Sequence, residues 1–177
     1  MRRTPRGTSE QWLGWLSGPD DKLRKKATLI LGGLDPSDKV AIEPLIDALH
    51  SDDGDIVFWA ACALGRLKHC AESAIPVLVS LVERHPMFGV RQVTVAALSK
   101  IDPTDLAVRG CILRALNDPI PFVRREALQA VIAFGTITAS QMSTIEQMRS
   151  DPDEAVSWWS EITCRNLRLN EGGTFPL

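Results

Sequence analysis

Apolar residues return along this chain with a period of 33 or 34 residues. The clearest copy of the pattern is IVFWAACALGRL, from Ile56 to Leu67. Its counterparts are LRKKATLILGGL, VRQVTVAALSKI, VRREALQAVIAF and VSWWSEITCRNL, which begin at Leu23, Val90, Val123 and Val156. Each copy has a large apolar residue at i, a small residue at i+4, and mostly large apolar residues at i+8 and i+11. That spacing forms one stripe of an α-helix, so the pattern predicts five equivalent helices, which we call the first helices.

A second helical pattern precedes each of the four later copies. Its two main apolar columns, four residues apart, contain Leu45, Leu78, Ile112 and Ile145, followed by Leu49, Val82, Leu116 and Arg149. Trp12 and Leu16 stand 33 residues before the first members of these columns. The sequence therefore predicts five second helices, the earliest of which, in residues 9–17, is a half-repeat that caps the array.

A fixed period of this length is typical of a solenoid, because one two-helix unit cannot bury its apolar face alone. The predicted domain is 9–167, between a flexible segment at 1–8 and a C-terminal tail at 168–177. First helices are predicted at about 20–34, 53–67, 87–101, 120–134 and 153–167. Gly32 and Gly65 are predicted to end the first two of them, since glycine terminates a helix at low cost.

The segments VRREALQAV and IVFWAACALGRL resemble HEAT repeats, since each follows an acidic turn and a helix such as AIEPLIDALHS. They are most similar to the short bacterial repeats also seen in phycobilin lyase-like proteins. The resemblance covers about residues 9–167 and implies an all-α fold, a right-handed α–α superhelix of the HEAT/armadillo type with about five repeats. It also implies that the second helices line the concave side.

The resemblance extends to the Val-Arg pair typical of these repeats. The pair occurs at Val90-Arg91 and Val123-Arg124, and as Leu23-Arg24 in the first copy. It is replaced by Ile56-Val57 and Val156-Ser157 in the second and fifth copies. A charged ladder along the array should therefore be interrupted at those two copies.

Composition limits the remaining possibilities. The chain has 177 residues, is 45% hydrophobic and contains no run of 18 apolar residues, so we expect one domain and no membrane span. No hydrophobic segment follows the basic start, which argues against a secretory signal. The four cysteines (Cys62, Cys70, Cys111 and Cys164) lack the spacing of a disulfide framework or zinc site. Free thiols suit a reducing compartment, and a cytoplasmic location is expected.

No catalytic motif is recognisable. The chain has three histidines and no tyrosine, and it lacks GxSxG, P-loop and HExxH motifs. His50 stands near Asp52 and His69 beside Cys70, but nothing in either turn supplies a third group to orient a base. We therefore expect neither enzymatic activity nor a metal or other cofactor.

The candidate partner-binding residues are on the second helices, on the face opposite the Leu45 column. They are Glu43, Asp47, Ser80, Glu83, Arg114 and Gln147. If the second helices are concave, the groove is acidic at one end and neutral at the other. Phosphate binding requires rows of Lys and Arg, and the net charge is −2, so nucleic acid is not expected. The alternatives are a groove for a basic or polar peptide and an ordinary solvated surface.

Two aromatic pairs stand where the first helices should be polar, in columns predicted to face the convex side. They are Phe58-Trp59 and Trp158-Trp159. Either these rings pack against a neighbouring helix, or they form an exposed patch for a partner or a second copy of the chain. The C-terminal tail could also cover Trp158-Trp159.

The sequence thus predicts a non-catalytic scaffold that binds protein or peptide, with Phe58 and Trp59 as a secondary contact. One alternative is an enzyme or enzyme subunit of HEAT-like build, similar to bilin lyases or DNA-alkylation repair proteins, although fold alone cannot establish activity. Another is a self-associating subunit of a larger assembly. The oligomeric state stays open.

Overall fold

The computed structural model describes residues 9–16, 18–31 and 42–171, and these residues form α-helices joined by turns and short 3-10 segments. The helices are α1 (Ser9–Leu16), α2 (Asp21–Leu31), α3 (Ile42–Ala48), α4 (Gly54–Leu67), α5 (Ile75–Arg84), α6 (Phe88–Ile101), α7 (Leu106–Ala115), α8 (Pro121–Ile132), α9 (Ala139–Gln147) and α10 (Glu154–Glu171). The even-numbered helices are the first helices, and the odd-numbered helices are the second helices. No strand occurs in the described ranges, and the all-α solenoid is confirmed.

The last helix is longer than its repeat. The repeat pattern ends at Leu167, but α10 continues to Glu171. Residues 168–171 have the sequence RLNE, which contains no proline or glycine, so nothing in it stops a helix. Residues 1–8, Ser17 and Gly32, and the remainder of the predicted tail, lie outside the described residues.

One continuous core runs between the two layers of helices. The small column of the first helices is buried, with Ala27, Ala60 and Ala127 completely inaccessible. The leading column of the second helices is buried equally well, as Leu45 and Ile145 show. The polar members of the small column are also buried, and Ser160 donates its hydroxyl to the Ile145 carbonyl. Each unit therefore buries its apolar stripe against its neighbours, as a solenoid requires.

Gly65 does not end α4, and that prediction was wrong. It lies inside the helix and is buried. A Cβ atom at this position would stand 2.8 Å from the Ala97 Cα of α6, closer than real Cβ atoms come. Glycine here lets the two backbones touch. The helix ends instead at Leu67, and Lys68 takes the positive φ of 51° that usually favours glycine.

The first helices are packed more closely than the second helices. Contacts are extensive between α4 and α6, between α6 and α8 and between α8 and α10, but sparser between α5 and α7 and almost absent between α7 and α9. A cleft opens between α5 and α7, with Val82 and Cys111 in its walls. A stack bends toward the layer whose members are closer together. The first helices therefore line the concave side.

The opposite assignment, which placed the second helices on the concave side, was therefore wrong. The close approach of Gly65 to Ala97 is likewise between two first helices. The predicted groove residues instead lie on the convex side. They are Glu43, Asp47, Ser80, Glu83, Arg114 and Gln147, and all six are exposed.

Candidate binding surface on the first helices

The predicted groove residues do not assemble into a site. Of the six, Glu83 and Arg114 meet: Arg114 donates to the Glu83 Oε1 atom from Nε at 3.1 Å and from Nη2 at 2.5 Å. This ion pair joins α5 to α7 and neutralises the carboxylate. Glu43 and Asp47, both on α3, make no ion pair within the described part of the chain. Ser80 and Gln147 belong to α5 and α9, far along the array from each other.

The concave side is formed by three columns of the first helices, which stand 3, 6 and 10 residues after the first column of the repeat. We call this surface the first-helix face. The column at i+3 contains Lys26, Trp59, Val93, Glu126 and Trp159. The column at i+6 contains Leu29, Cys62, Ala96, Gln129 and Ile162, and the column at i+10 contains Arg66, Lys100, Ala133 and Asn166. All of these residues are exposed or partly exposed.

A pocket of about 250 Å³ opens on this face between α2, α4 and α6. We call it the concave pocket. Its walls include Leu29, Trp59, Cys62, Arg66, Val93 and Lys100. The apolar groups come from all three helices, and both charged groups are cations near the ends of α4 and α6. None of the described lining residues is acidic.

The two members of the Phe58-Trp59 pair have different surroundings. Phe58 is half-buried and packs against the core. Trp59 stands edge-on to it, with ring centroids 5.2 Å apart, and remains 38% exposed in the concave pocket. Of the two alternatives for this pair, packing against neighbouring residues applies to Phe58, and exposure at the surface applies to Trp59. Both belong to the concave layer, not to the convex side where the sequence placed them.

The Cys62 thiol is a weak nucleophile in this setting. Burial raises its pKa, and the nearby charges of Arg66 and Lys100, which act in the opposite direction, do not compensate. Burial also raises the pKa of Cys111 to about 11. All four cysteines are free. The described residues contain no group of His, Cys, Asp or Glu side chains arranged to hold a metal ion.

Two cations of α2 have partners within the chain. Lys25 Nζ lies 2.7 Å from Asp55 and 3.4 Å from Asp53, and this interaction joins α2 to the start of α4. Lys26 Nζ stands 5.2 Å from the centroid of the Trp15 ring. Lys100 differs, because it makes no ion pair with any residue that the structure describes.

A second group of exposed aromatic rings was not predicted from the sequence. Phe88 is the first residue of α6 and Phe122 is the second residue of α8, and their rings stack with centroids 6.0 Å apart, while Arg125 lies over Phe122. Both rings are about half exposed, as is Trp158 on α10. The available signal was that Phe88 and Phe122 stand just before the first apolar column, outside the stripe that the core requires.

Comparison with known proteins identifies the repeat. A family model described as HEAT repeats matches residues 9–99. A search of curated protein sequences finds no match. Within the described ranges no helix is both long and apolar enough to cross a lipid bilayer.

Several solved structures share the fold. The complex of CpcE and CpcF of phycocyanin lyase from Nostoc sp. PCC7120 matches with a TM-score of 0.76 and 22% identity, over 92% of this chain and 66% of that chain. The condensin Cnd3-Cnd2 subcomplex of S. pombe gives a TM-score of 0.72 and 18% identity over 88% of this chain and 22% of that chain. A designed armadillo repeat protein in complex with the peptide (KR)4 gives a TM-score of 0.69 and 14% identity, over 88% of this chain and 80% of that chain. At these identities the likeness concerns the fold alone.

Proposed function

Since the chain belongs to the HEAT-repeat family, we propose that it is a binding protein that holds a segment of another protein on its first-helix face. The observation that carries this proposal is the concave pocket, where Trp59 is exposed beside Arg66 and Lys100. Exposed tryptophan and arginine are the residue types most often responsible for binding energy at protein interfaces. A partly open pocket lined by an aromatic ring provides the concavity that an anchoring side chain needs.

The architecture supports an extended segment as the ligand. Equivalent positions recur on successive first helices, so a chain crossing those helices meets a similar column in each repeat. The designed armadillo repeat protein with a bound peptide has the same general fold, which supports the idea that such a surface accommodates a peptide.

The proposal assigns no chemistry to the pocket. Its candidate nucleophile, Cys62, has a raised pKa and is mostly protonated at neutral pH. His50 lies in the turn after α3 and His69 in the 3-10 segment after α4, and neither lines the concave pocket. The raised pKa of Cys62 and the positions of the histidines outside the pocket favour a binding protein over an enzyme of similar build.

A peptide-display selection would test the proposal. A random library of twelve-residue peptides is selected against the wild-type protein, and enriched peptides are synthesised and titrated against Trp59→Ala. We expect enrichment, with at least about thirtyfold weaker binding to the variant, because truncating an interface anchor typically costs 2 kcal/mol or more. The control is Trp158→Ala, which removes a tryptophan from the far end of the array. Peptides that bind Trp59→Ala as tightly as wild type, or no enrichment, would contradict the proposal.

A further inference from the structure

An exposed apolar row crosses the starts of three successive first helices. The Met87 side chain lies against Gly54, the first residue of α4, where an added Cβ atom would overlap the methionine sulfur. Phe88 of α6 stacks with Phe122 of α8, and their ring planes are 21° apart. Arg125 lies 5.3 Å from the centroid of the Phe122 ring. We call Gly54, Met87, Phe88 and Phe122 the helix-start row, since they follow one another across the three helices.

Two of these helices lack the side-chain cap that other first helices have. The residue three positions before the first column of the repeat is Asp20, Asp53 and Asp153 in α2, α4 and α10, and each carboxylate accepts hydrogen bonds from backbone amides of the first turn. In α6 and α8 the same position holds Met87 and Ile120, which provide no such bond. Because a polar cap stabilises a helix, two adjacent repeats forgo a stabilising interaction where their apolar side chains are exposed. Burial of those side chains against another molecule would offset the loss.

We infer that the helix-start row is a dimer interface, which binds the same row of a second copy of this chain. Met87, Phe88 and Phe122 are 46%, 45% and 51% exposed. On the usual sizes of such side chains, these fractions correspond to about 300 Å² of accessible apolar surface. Pro86 and Pro119, both exposed in the adjoining turns, extend it. An interface of ordinary size buries about 800 Å² on each partner, with an apolar core inside a polar rim. The row is large enough to supply that core.

A second copy suits this surface better than an unrelated partner. None of the four residues in the row is charged, and homodimer interfaces are more apolar than those of transient complexes. A two-fold axis brings the same patch of both copies together, so the rings of Phe88 and Phe122 in one copy meet those in the other, and aromatic rings pack favourably. The two rings already stack, and Arg125 covers one of them. Their burial therefore costs little side-chain freedom.

The dimer goes beyond the proposed function and does not depend on it. No member of the row is among the described residues that line the concave pocket. Each copy in the dimer therefore keeps its own pocket open to a ligand.

Sedimentation equilibrium of the full chain, from low to high micromolar concentration, tests the inference. We expect the wild type to reach the mass of two chains. The double variant Phe88→Glu with Phe122→Glu should weaken dimerisation by at least about a hundredfold, because two anchors are lost from each copy and carboxylates face each other across the axis. Both substitutions lie in first turns, where an acidic residue is favourable, and circular dichroism would show that the fold is kept.

The matched control is Leu106→Glu. Leu106 is also the first residue of a helix and is 85% exposed, but α7 begins next to the end of α6, away from the row. This variant should dimerise as the wild type does. A second variant, Phe122→Ser, removes one ring without adding charge and should weaken dimerisation about tenfold.

Several results would overturn the inference. One is a wild type that stays monomeric at every concentration. Others are a dimer that Phe122→Ser and the double variant leave intact, and a dimer that Leu106→Glu disrupts equally. Growth beyond two chains would also contradict it, because a two-fold interface uses the same patch on both copies and then closes. Peptide binding at Trp59 is measured separately, so failure of the dimer leaves the proposed function standing.

Discussion

Arg124 donates to both carboxylate oxygens of Asp151, from Nε at 2.9 Å and from Nη2 at 2.7 Å. The same guanidinium donates from Nη1 to the carbonyl of Asp118, in the turn that precedes α8. Arg91 repeats the arrangement one unit earlier, with Asp118 as its bidentate partner. Each arginine thus connects the turn before its own helix with the turn before the next first helix. The two ion pairs occupy equivalent positions in consecutive repeats and form the charged ladder.

Removing the ion pair between Arg124 and Asp151 should destabilise the fold. Both side chains of the pair are nearly buried, with 12% and 10% exposed. Arg124→Met would leave the Asp151 carboxylate without its main donor, at a cost of about 2–3 kcal/mol in the free energy of unfolding. The measurement is urea denaturation followed by circular dichroism.

The matched control is Arg165→Met. Arg165 also pairs with a carboxylate, Glu161, but both side chains are well exposed. We expect a loss below about 0.5 kcal/mol there. Equal losses in the two variants would mean that burial of the Arg124 pair contributes nothing.

Because of the Arg124–Asp151 pair, the free energy of unfolding should decrease at acidic pH. Burial alone would raise the pKa of Asp151, but the hydrogen bonds from Arg124 and from the Asp153 amide outweigh it, and the pKa is lowered from 3.8. A carboxylate whose pKa is lower in the folded state stabilises the fold above its unfolded pKa, about 3.9. That contribution disappears as the pH falls through the folded value.

Asp151→Asn tests this dependence. At pH 7 the variant should be less stable than wild type by urea denaturation, and the difference should shrink progressively below about pH 4. Asp55→Asn is a suitable comparison, because Asp55 pairs with Lys25 in an exposed position. A stability difference for Asp151→Asn that is the same at pH 7 and pH 3 would show that the carboxylate's charge does not contribute.

The sequence predicted where this ladder breaks. Val57 and Ser157 replace the arginine in the second and fifth repeats, and neither can donate as a guanidinium does. The first repeat retains Arg24, but Ser51 stands where Asp118 and Asp151 stand in relation to their arginines. Arg24 pairs instead with Asp21 and with the Gly18 carbonyl. The absence of an aspartate partner for Arg24 could have been predicted by aligning the positions of Asp118 and Asp151 among the repeats, as well as the positions of the arginines.

The direction of curvature could not be predicted in the same way. Periodicity identifies which residues face the core, and the buried columns agree with it. Curvature depends on the difference in spacing between two layers, which is set by residues beside the stripe. Gly65 is the informative residue: in sequence it is typical of a helix end, and only its contact with Ala97 shows that it brings two helices together. The candidate groove depended on a separate expectation, implied by the resemblance to HEAT repeats, that the second helices line the concave side.

Gly65→Ala should therefore destabilise the protein. The added methyl group meets the Ala97 backbone at 2.8 Å, so α4 and α6 must move apart. Overpacking of this kind typically costs about 1–3 kcal/mol, more than the better helix propensity of alanine returns. Gly89→Ala in α6 is the control, because a Cβ atom there meets nothing within 4 Å. It should be neutral or stabilising by up to about 1 kcal/mol, and a loss for Gly65→Ala no larger than this control's would contradict the close approach.

Charge reversal on the convex side should leave peptide binding unchanged. The variant carries Glu43→Lys, Asp47→Lys and Glu83→Lys together, which would abolish binding if these residues lined the groove. They lie on α3 and α5, in the layer opposite the concave pocket. At physiological ionic strength, charges separated by more than about 8 Å are largely screened. We expect peptides selected on the wild type to bind the triple variant with less than about twofold change in Kd by fluorescence anisotropy. If the triple variant loses affinity while Trp59→Ala does not, the second helices form the binding face and the first-helix assignment is wrong.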